Sequence, residues 1–219
     1  MKNIITLFAI TLLFSCQNTA QTKKQQENIT NAKPVEVPLK NGLAKAYFAS
    51  GCFWCVEAIY ESVKGVEESI SGYSGGHTKN PTYEASNTGR TGHAEAVEII
   101  YNPNIVSFET LVDVYFASQN VTQVNGQGPD KGSQYRSIIF YQNEEQKQII
   151  LNKKEALAKK LNAKIAAEVY PFQKFWVAEG YHQNYERLHP NHPYIQNVSI
   201  PRLNRFKAKF PKELLKESH

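Results

Sequence analysis

The order of elements along this chain predicts an α/β domain (an α+β sandwich) with a mixed sheet core and flanking helices. Three observations carry that expectation. Runs of strand-forming residues alternate with amphipathic runs in the order β-α-β-β-α-β-α-β. Gly, Pro and Asn punctuate the boundaries between them. The 219 residues are enough for one domain with a real core, with no internal repeat and no second core.

The elements follow in order. Ala44 to Ser50 is a buried-strand candidate. Val56, Ile59, Tyr60 and Val63 recur at helical spacing, so a helix is expected over Trp54 to Lys64, stopped at Gly65. Val66 to Tyr73 reads as a strand running into a flexible loop, Gly72-Tyr73-Ser74-Gly75-Gly76. His77 to Gly92 holds turn formers without an apolar period. Ala94 to Tyr101 is a strand closed by Asn102-Pro103. Ser107 is placed to cap a helix carrying Phe108, Leu111, Val112, Tyr115 and Phe116 on one face. Asn120 to Ser133 is loop, and Arg136 to Tyr141 a strand. Asn143 followed by Gln146 starts a helix running to about Lys160. Lys164 to Tyr170 is a strand stopped by Pro171, and Ala178 to Leu188 a short helix. The Pro-, Lys- and Asn-rich tail from Pro190 holds one helical stretch around Leu203 to Lys209.

The N-terminus reads as a targeting segment. Ile4 to Phe14 is apolar but too short for a permanent membrane helix. It ends in Leu13-Phe14-Ser15-Cys16, a pattern similar to the lipobox of bacterial lipoproteins. The expected organisation is a signal peptide over 1–15, a disordered polar tether over 16–42 and a catalytic domain over 43–219. Residue Cys16 would carry the lipid, in the periplasmic cell envelope. The formal charge of +5 comes largely from Lys in the tether, the Lys153 to Lys164 segment and the C-terminal tail. Without a single basic stripe interleaved with aromatics, these read as solvated surface and predict no nucleic-acid partner.

Gly51-Cys52-Phe53-Trp54-Cys55 carries the chemistry. Two thiols lie one helical turn apart where a strand turns into a helix. Unpaired N–H groups and the dipole there favour thiolate, the reactive form. Zinc would need two more ligands, and the nearest pairing, His189 with His192, lies in the Pro-rich tail. Haem attachment would need His at position 56, which is Val. A redox pair needs only the thiols and the helix start. Neither a Gly-x-Gly-x-x-Gly turn after a strand nor a P-loop occurs, so no metal, flavin or nicotinamide is expected.

Gly-Cys-Phe-Trp resembles the opening of the active-site helix in the A-type peptide methionine sulfoxide reductases. Four further blocks extend the resemblance in order: Gly72-Tyr73-Ser74-Gly75-Gly76; Pro81-Thr82-Tyr83 with Thr91-Gly92-His93-Ala94-Glu95; Gln127 to Ser137; and Tyr181-His182-Gln183-Asn184-Tyr185. The resemblance implies that Cys52 attacks the sulfoxide sulfur and Glu95 protonates its oxygen. It implies that Tyr83 and Tyr135 hold that oxygen, Phe53 and Trp54 wall the methyl pocket, and Asp130 supports substrate binding. His182 reads equally as structural or functional. The fold implied is that family's sandwich around a mixed sheet. The resemblance implies methionine S-sulfoxide, in proteins or free, as the substrate, and one small domain with a complete site is expected to be a monomer.

The chain departs from the pattern in three places. Cys55 stands where many members have Gly, no cysteine occurs in the tail, and Gln119-Asn120-Val121-Thr122 replaces a usual His-Asp-Pro-Thr. The first two together make Cys55 the expected resolving cysteine, with the disulfide reduced by a thioredoxin-like dithiol protein. The competing reading is a thioredoxin-like thiol–disulfide oxidoreductase, in which Glu95 would be dispensable.

Overall fold

The computed structural model describes residues 24–217. The expected signal peptide and Cys16 lie outside them. A six-stranded sheet is built from β1 (Ala44–Ala49), β2 (Val66–Ser74), β3 (Ala94–Tyr101), β6 (Ile138–Tyr141), β7 (Glu168–Pro171) and β8 (Phe175–Val177). Its order is β7-β6-β1-β3-β2-β8, with β6 and β7 parallel and the other neighbours antiparallel. A two-stranded ribbon, β4 (Gly126–Gln127) and β5 (Asp130–Lys131), lies apart. The helices are α1 (Phe53–Glu61), α2 (Tyr83–Asn87), α3 (Phe108–Ala117), α4 (Glu144–Leu161), α5 (Tyr185–Leu188) and α6 (Ile200–Lys209).

Both faces of the sheet are covered, which is why β3 is buried along nearly its whole length instead of alternating. On one face α1 and α3 pack Phe53, Ile59, Tyr60, Leu111 and Tyr115 against Phe48, Val97 and Ile99. Three N-caps act as expected: Ser107 accepts from the Thr110 N–H, Asn143 from Gln146, and Thr82 from Ala85. On the other face Tyr47, Ala96, Ile138 and Phe140 are covered by Phe172, with Phe175 and Val37 at the margin. Tyr47 and Phe172 stack at 3.7 Å.

Part of that cover comes from the segment expected to be a disordered tether. Residues 24–30 are helical, and the following chain lies on the domain. The Gln26 amide donates to Gly75 O at 2.6 Å, Val35 N–H to Phe172 O at 2.8 Å, and Val37 N–H to the Gln142 side chain at 2.8 Å. These are long-range bonds that composition cannot reveal.

Other boundaries shift for identifiable reasons. The strand expected over Val66 to Tyr73 is borne out and takes in Ser74 from the expected loop: Gly72, Tyr73 and Ser74 pair with Ala96, Glu95 and Ala94 on one side and with Val177, Trp176 and Phe175 on the other. A Cβ at Gly72 would sit 2.3 Å from Trp176 O, so only glycine lets β8 approach. Strand β8 has three residues, too few to show a period. Strand β7 begins at Glu168, later than expected, and includes Pro171 as an edge residue. The expected helix over 178–188 is two shorter pieces, a 3₁₀ turn at Gly180–His182 and α5, separated by Asn184 at φ +56°. The tail is more ordered than its composition suggests: a π-helical turn, Ile195–Ser199, runs directly into α6.

Candidate active site

The site forms where the C-terminal end of β1 delivers the chain to α1. Gly51 makes the bend with φ +81°, and a Cβ there would meet Gln127 at 2.5 Å. Arg202 of α6 holds the approach: its guanidinium donates to Ser50 O at 2.9 Å, Ser50 Oγ at 2.7 Å and Ser118 O at 2.9 Å. Cys52 is the N-cap residue, and its side chain does not cap the helix.

The buried first turn of α1 is capped from strand β3. Glu95 Oε2 on β3 accepts the Phe53 N–H at 3.0 Å. Strand β3 carries two glutamates with opposite fates. Glu98 is neutralised by Lys45 at 2.8 Å and the Tyr47 hydroxyl at 2.8 Å. Glu95 is 2% exposed and makes no ion pair among the described residues. Burial pushes it up to about 8; the Phe53 N–H opposes this, and the Asp130 carboxylate adds to it. At neutral pH Glu95 is therefore mostly a neutral acid with a proton to give.

The two thiols are both reduced and lie close enough to interact. Burial pushes Cys52 well up, and its interaction with Cys55 and the nearby Glu95 push it further. Cys55 is held at about 7, first by its bond to Cys52 and then by the Arg202 charge, against its burial. The expectation that the helix start would favour thiolate thus fails for the resting Cys52, because desolvation outweighs the dipole at a 6% exposed sulfur.

The expected wall residues meet. Phe53 packs against Tyr83 at 6.4 Å and Tyr73 at 5.9 Å between ring centres. Trp54 stacks on Tyr185 at 3.8 Å and donates its indole N–H to His182 Nδ1 at 3.2 Å. That bond leaves the His182 proton on Nε2, which is buried without a partner, 3.9 Å from Glu179. Burial keeps His182 below its usual pKa, so the ring is neutral. Tyr83 and Tyr135, both half-buried, interact with each other and feel the Glu95 charge; burial holds both phenols up, as neutral donors. Asp130 sits on the β4–β5 ribbon and accepts from the Tyr194 hydroxyl at 2.6 Å.

A buried thiol pair, a buried acid, paired phenols and an aromatic wall around one helix start are groups able to activate and reduce a sulfoxide. The family model for peptide methionine sulfoxide reductase matches residues 44–214. The chain belongs to that family. It is 46% identical over 166 residues to the peptide methionine sulfoxide reductase MsrA of Pasteurella multocida, covering 76% of this chain and 95% of that one. With MsrA of Nautilia profundicola it shares 47% over 164 residues, covering 75% and 94%. Among solved structures, methionine sulfoxide reductase A of Corynebacterium diphtheriae superposes with a TM-score of 0.63 at 32% identity, covering 74% of this chain and 84% of that one. Reduced Mxr1 of Saccharomyces cerevisiae gives 0.66 at 30% identity, covering 73% and 91%. This reductase has the family's mixed sheet with flanking helices.

Sequence reasoning missed Tyr194, whose hydroxyl lies 3.7 Å from Cys55 Sγ while donating to Asp130. It also missed Arg202. Both lie in the tail, where no motif or period singled them out. The departure at Gln119-Asn120-Val121-Thr122 is accommodated. Gln127 ties the loop by accepting the Asn120 N–H at 2.8 Å and donating to Gln119 and Asn120 O, and Asn120 Oδ1 accepts from Thr122.

Proposed function

We propose that this methionine sulfoxide reductase acts on the S epimer, with Cys52 as nucleophile and Cys55 as the resolving cysteine. The observation that carries the reading is the buried, uncompensated Glu95 bonded to the N–H of Phe53, the residue that follows Cys52. A sulfoxide is a poor electrophile until its oxygen is protonated. Glu95 gives the proton while Tyr83 and Tyr135 donate to the same oxygen. Phe53 and Trp54 receive the S-methyl group, and Asp130 with Tyr194 orders the polar side of the site.

In the net step, oxygen passes from the substrate sulfur to the Cys52 sulfur. Methionine leaves and Cys52 becomes a sulfenic acid. The Cys55 thiolate then attacks Cys52 Sγ, water departs, and a Cys52–Cys55 disulfide results. A thioredoxin-like dithiol protein returns two electrons. No prosthetic cofactor enters this scheme. The reductase works as a monomer in the cell envelope, tethered through lipid on Cys16, and repairs oxidised methionine in proteins or free in solution.

The test is turnover of a peptide carrying methionine S-sulfoxide or its R epimer, with dithiothreitol, for wild type and Cys52→Ser. The expected result is reduction of the S epimer alone by wild type and none by Cys52→Ser. Reduction of disulfides but of neither epimer would assign the thiols to a thiol–disulfide oxidoreductase.

A further inference from the structure

The three groups proposed to handle the sulfoxide oxygen hang on one junction. Tyr83 lies in the loop between β2 and β3, and Glu95 stands just past Gly92 and His93, where that loop ends. The two ends of the loop are tied into a neck. The His77 N–H donates to Thr91 O at 3.0 Å. His93, 2% exposed, accepts the Gly76 N–H on Nδ1 at 3.1 Å, so its Nε2 carries the proton and donates to Thr78 O at 2.8 Å. From Gly92 the ties run on to the third group. Arg136 donates to Gly92 O at 2.9 Å and to Ser133 O at 2.8 Å, which fixes the short turn Ser133–Tyr135.

Gln26, in the helical turn ahead of β1, closes on this neck. Its amide nitrogen donates to Gly75 O at 2.6 Å on one side. Its Oε1 lies against Gly92 on the other, where a Cβ would collide with it and lie 2.8 Å from His77 Nδ1. Gly75 and Gly92 stand at φ +81° and +72°, a backbone shape that suits glycine and leaves room for the amide. The chain after Gln26 is held along the sheet. Lys33 O accepts from the Gln173 amide at 2.8 Å, the Val35 N–H donates to Phe172 O at 2.8 Å, and Val37 packs at the margin of the second face. A glutamine on a loose surface helix would give both amide atoms to water; this one spans the two glycines of one neck.

We infer that Gln26 is a positioning residue for sulfoxide reduction: the strap formed by residues 24–37 braces the neck from which Tyr83, Glu95 and Tyr135 reach the substrate oxygen. The inference rests on the roles proposed for those three groups. It goes beyond them by making a polar segment ahead of 44–214, the stretch shared with the family, part of what sets the site. Small displacements matter here, since moving a reacting group by about 1 Å can cost on the order of 10²-fold. The strap bonds to Gly75, Gln142, Phe172 and Gln173, whereas both thiols belong to the core on the other face of the sheet. It therefore bears on the step that handles oxygen and not on thiol–disulfide exchange.

The test compares wild type, Gln26→Ala and Gln26→Glu; the last keeps the shape of the side chain without its N–H donor. Two half-reactions are read separately on each full chain. Rapid quench gives the rate of methionine release in a single turnover of a peptide carrying methionine S-sulfoxide, at rising peptide concentration. Thiol titration gives the rate at which dithiothreitol reduces the Cys52–Cys55 disulfide. The expected result is a maximal rate of methionine release roughly tenfold lower in both variants, with a smaller change in half-saturation. Disulfide reduction should stay at the wild-type rate. Hydrogen exchange at the Gly76 and His77 amides should quicken in both variants, while that of Phe48 in β1 stays slow. Unchanged methionine release in Gln26→Ala would overturn the inference. So would a wild-type rate in Gln26→Glu, or equal slowing of both half-reactions, since the strap would then serve general stability alone. Absence of methionine release in wild type would overturn the proposed reaction together with the brace that rests on it, which sets that failure apart from the others.

Discussion

Glu95 and Phe53 are joined by one hydrogen bond of 3.0 Å from the Phe53 N–H to Glu95 Oε2. That bond fastens the proposed acid to the turn that carries the proposed nucleophile. It also uses an N–H that the Cys52 side chain leaves unpaired. Any motion of α1 relative to β3 would move Glu95 away from the turn that holds Cys52, so the sheet–helix packing holds the two together.

Glu95→Gln should cut sulfoxide turnover by about 10²–10⁴-fold while leaving substrate binding largely intact. Wild-type turnover should fall as pH rises through about 8, where the acid form is lost. The pH profile of the Gln variant should be flat over that limb. A wild-type profile still level at pH 9 would remove Glu95 from the acid role.

Cys55→Ser should separate the half-reactions. The variant should release about one equivalent of methionine per protein in a rapid phase and then stall with a thioredoxin-type reductant. Rapid-quench measurement of methionine release checks this. Full multiple turnover with that reductant would show that Cys55 only packs.

Glu57 predicts a pH-dependent stability. It is buried on α1 and accepts from the Ser71 hydroxyl and from the Asn184 N–H at 2.5 Å. Burial raises it to about 7. Because its folded pKa lies above its unfolded value of ~4.3, its contribution is fully present below that value and is lost as pH rises to 7. The loss is on the order of 3 kcal/mol at 1.36 kcal/mol per unit. Thermal melts of wild type and Glu57→Gln between pH 4.5 and 8 should converge at low pH and diverge in favour of the variant as pH rises.

Arg202→Met should destabilise the fold by about 2–4 kcal/mol, because it frees Ser50 O and Ser118 O in a buried place. At ~2–4 °C per kcal/mol for a chain of this size, Tm should drop by roughly 5–15 °C. Turnover measured well below Tm should also fall, since Ser50 leads directly into Gly51 and Cys52.

Trp54→Phe should keep a stack on Tyr185 but lose the bond to His182 Nδ1. A rise in KM with a smaller change in kcat is expected, because the wall loosens while the nucleophile and acid stay in place. Equal falls in kcat and kcat/KM would instead give Trp54 a role in the chemical step.

Much of this was legible in the amino acids. Strands β1, β2, β3 and β6 and helices α1, α3 and α4 are long enough to show their periods, and Ser107 and Asn143 announce their helices. Four short blocks around the C-x-x-C indicated the family and its chemistry. The three-residue β8 and the five-residue α2 escaped because a period needs more than one repeat. The ordered segment before β1 escaped because polar residues such as Gln26 are held by backbone carbonyls far away in the chain.

The sequence alone determined the alternation of elements, the two thiols at a helix start and the family's chemistry, because each is local in the chain. Only the tertiary structure decided which groups are charged and which sulfur faces what. Glu95 and Glu98 are three residues apart on one strand, yet only Glu98 meets a lysine. Cys52 and Cys55 are one turn apart and both meet Tyr194, yet only Cys55 feels the Arg202 charge. Burial and long-range neighbours set proton affinity, and no local pattern records them.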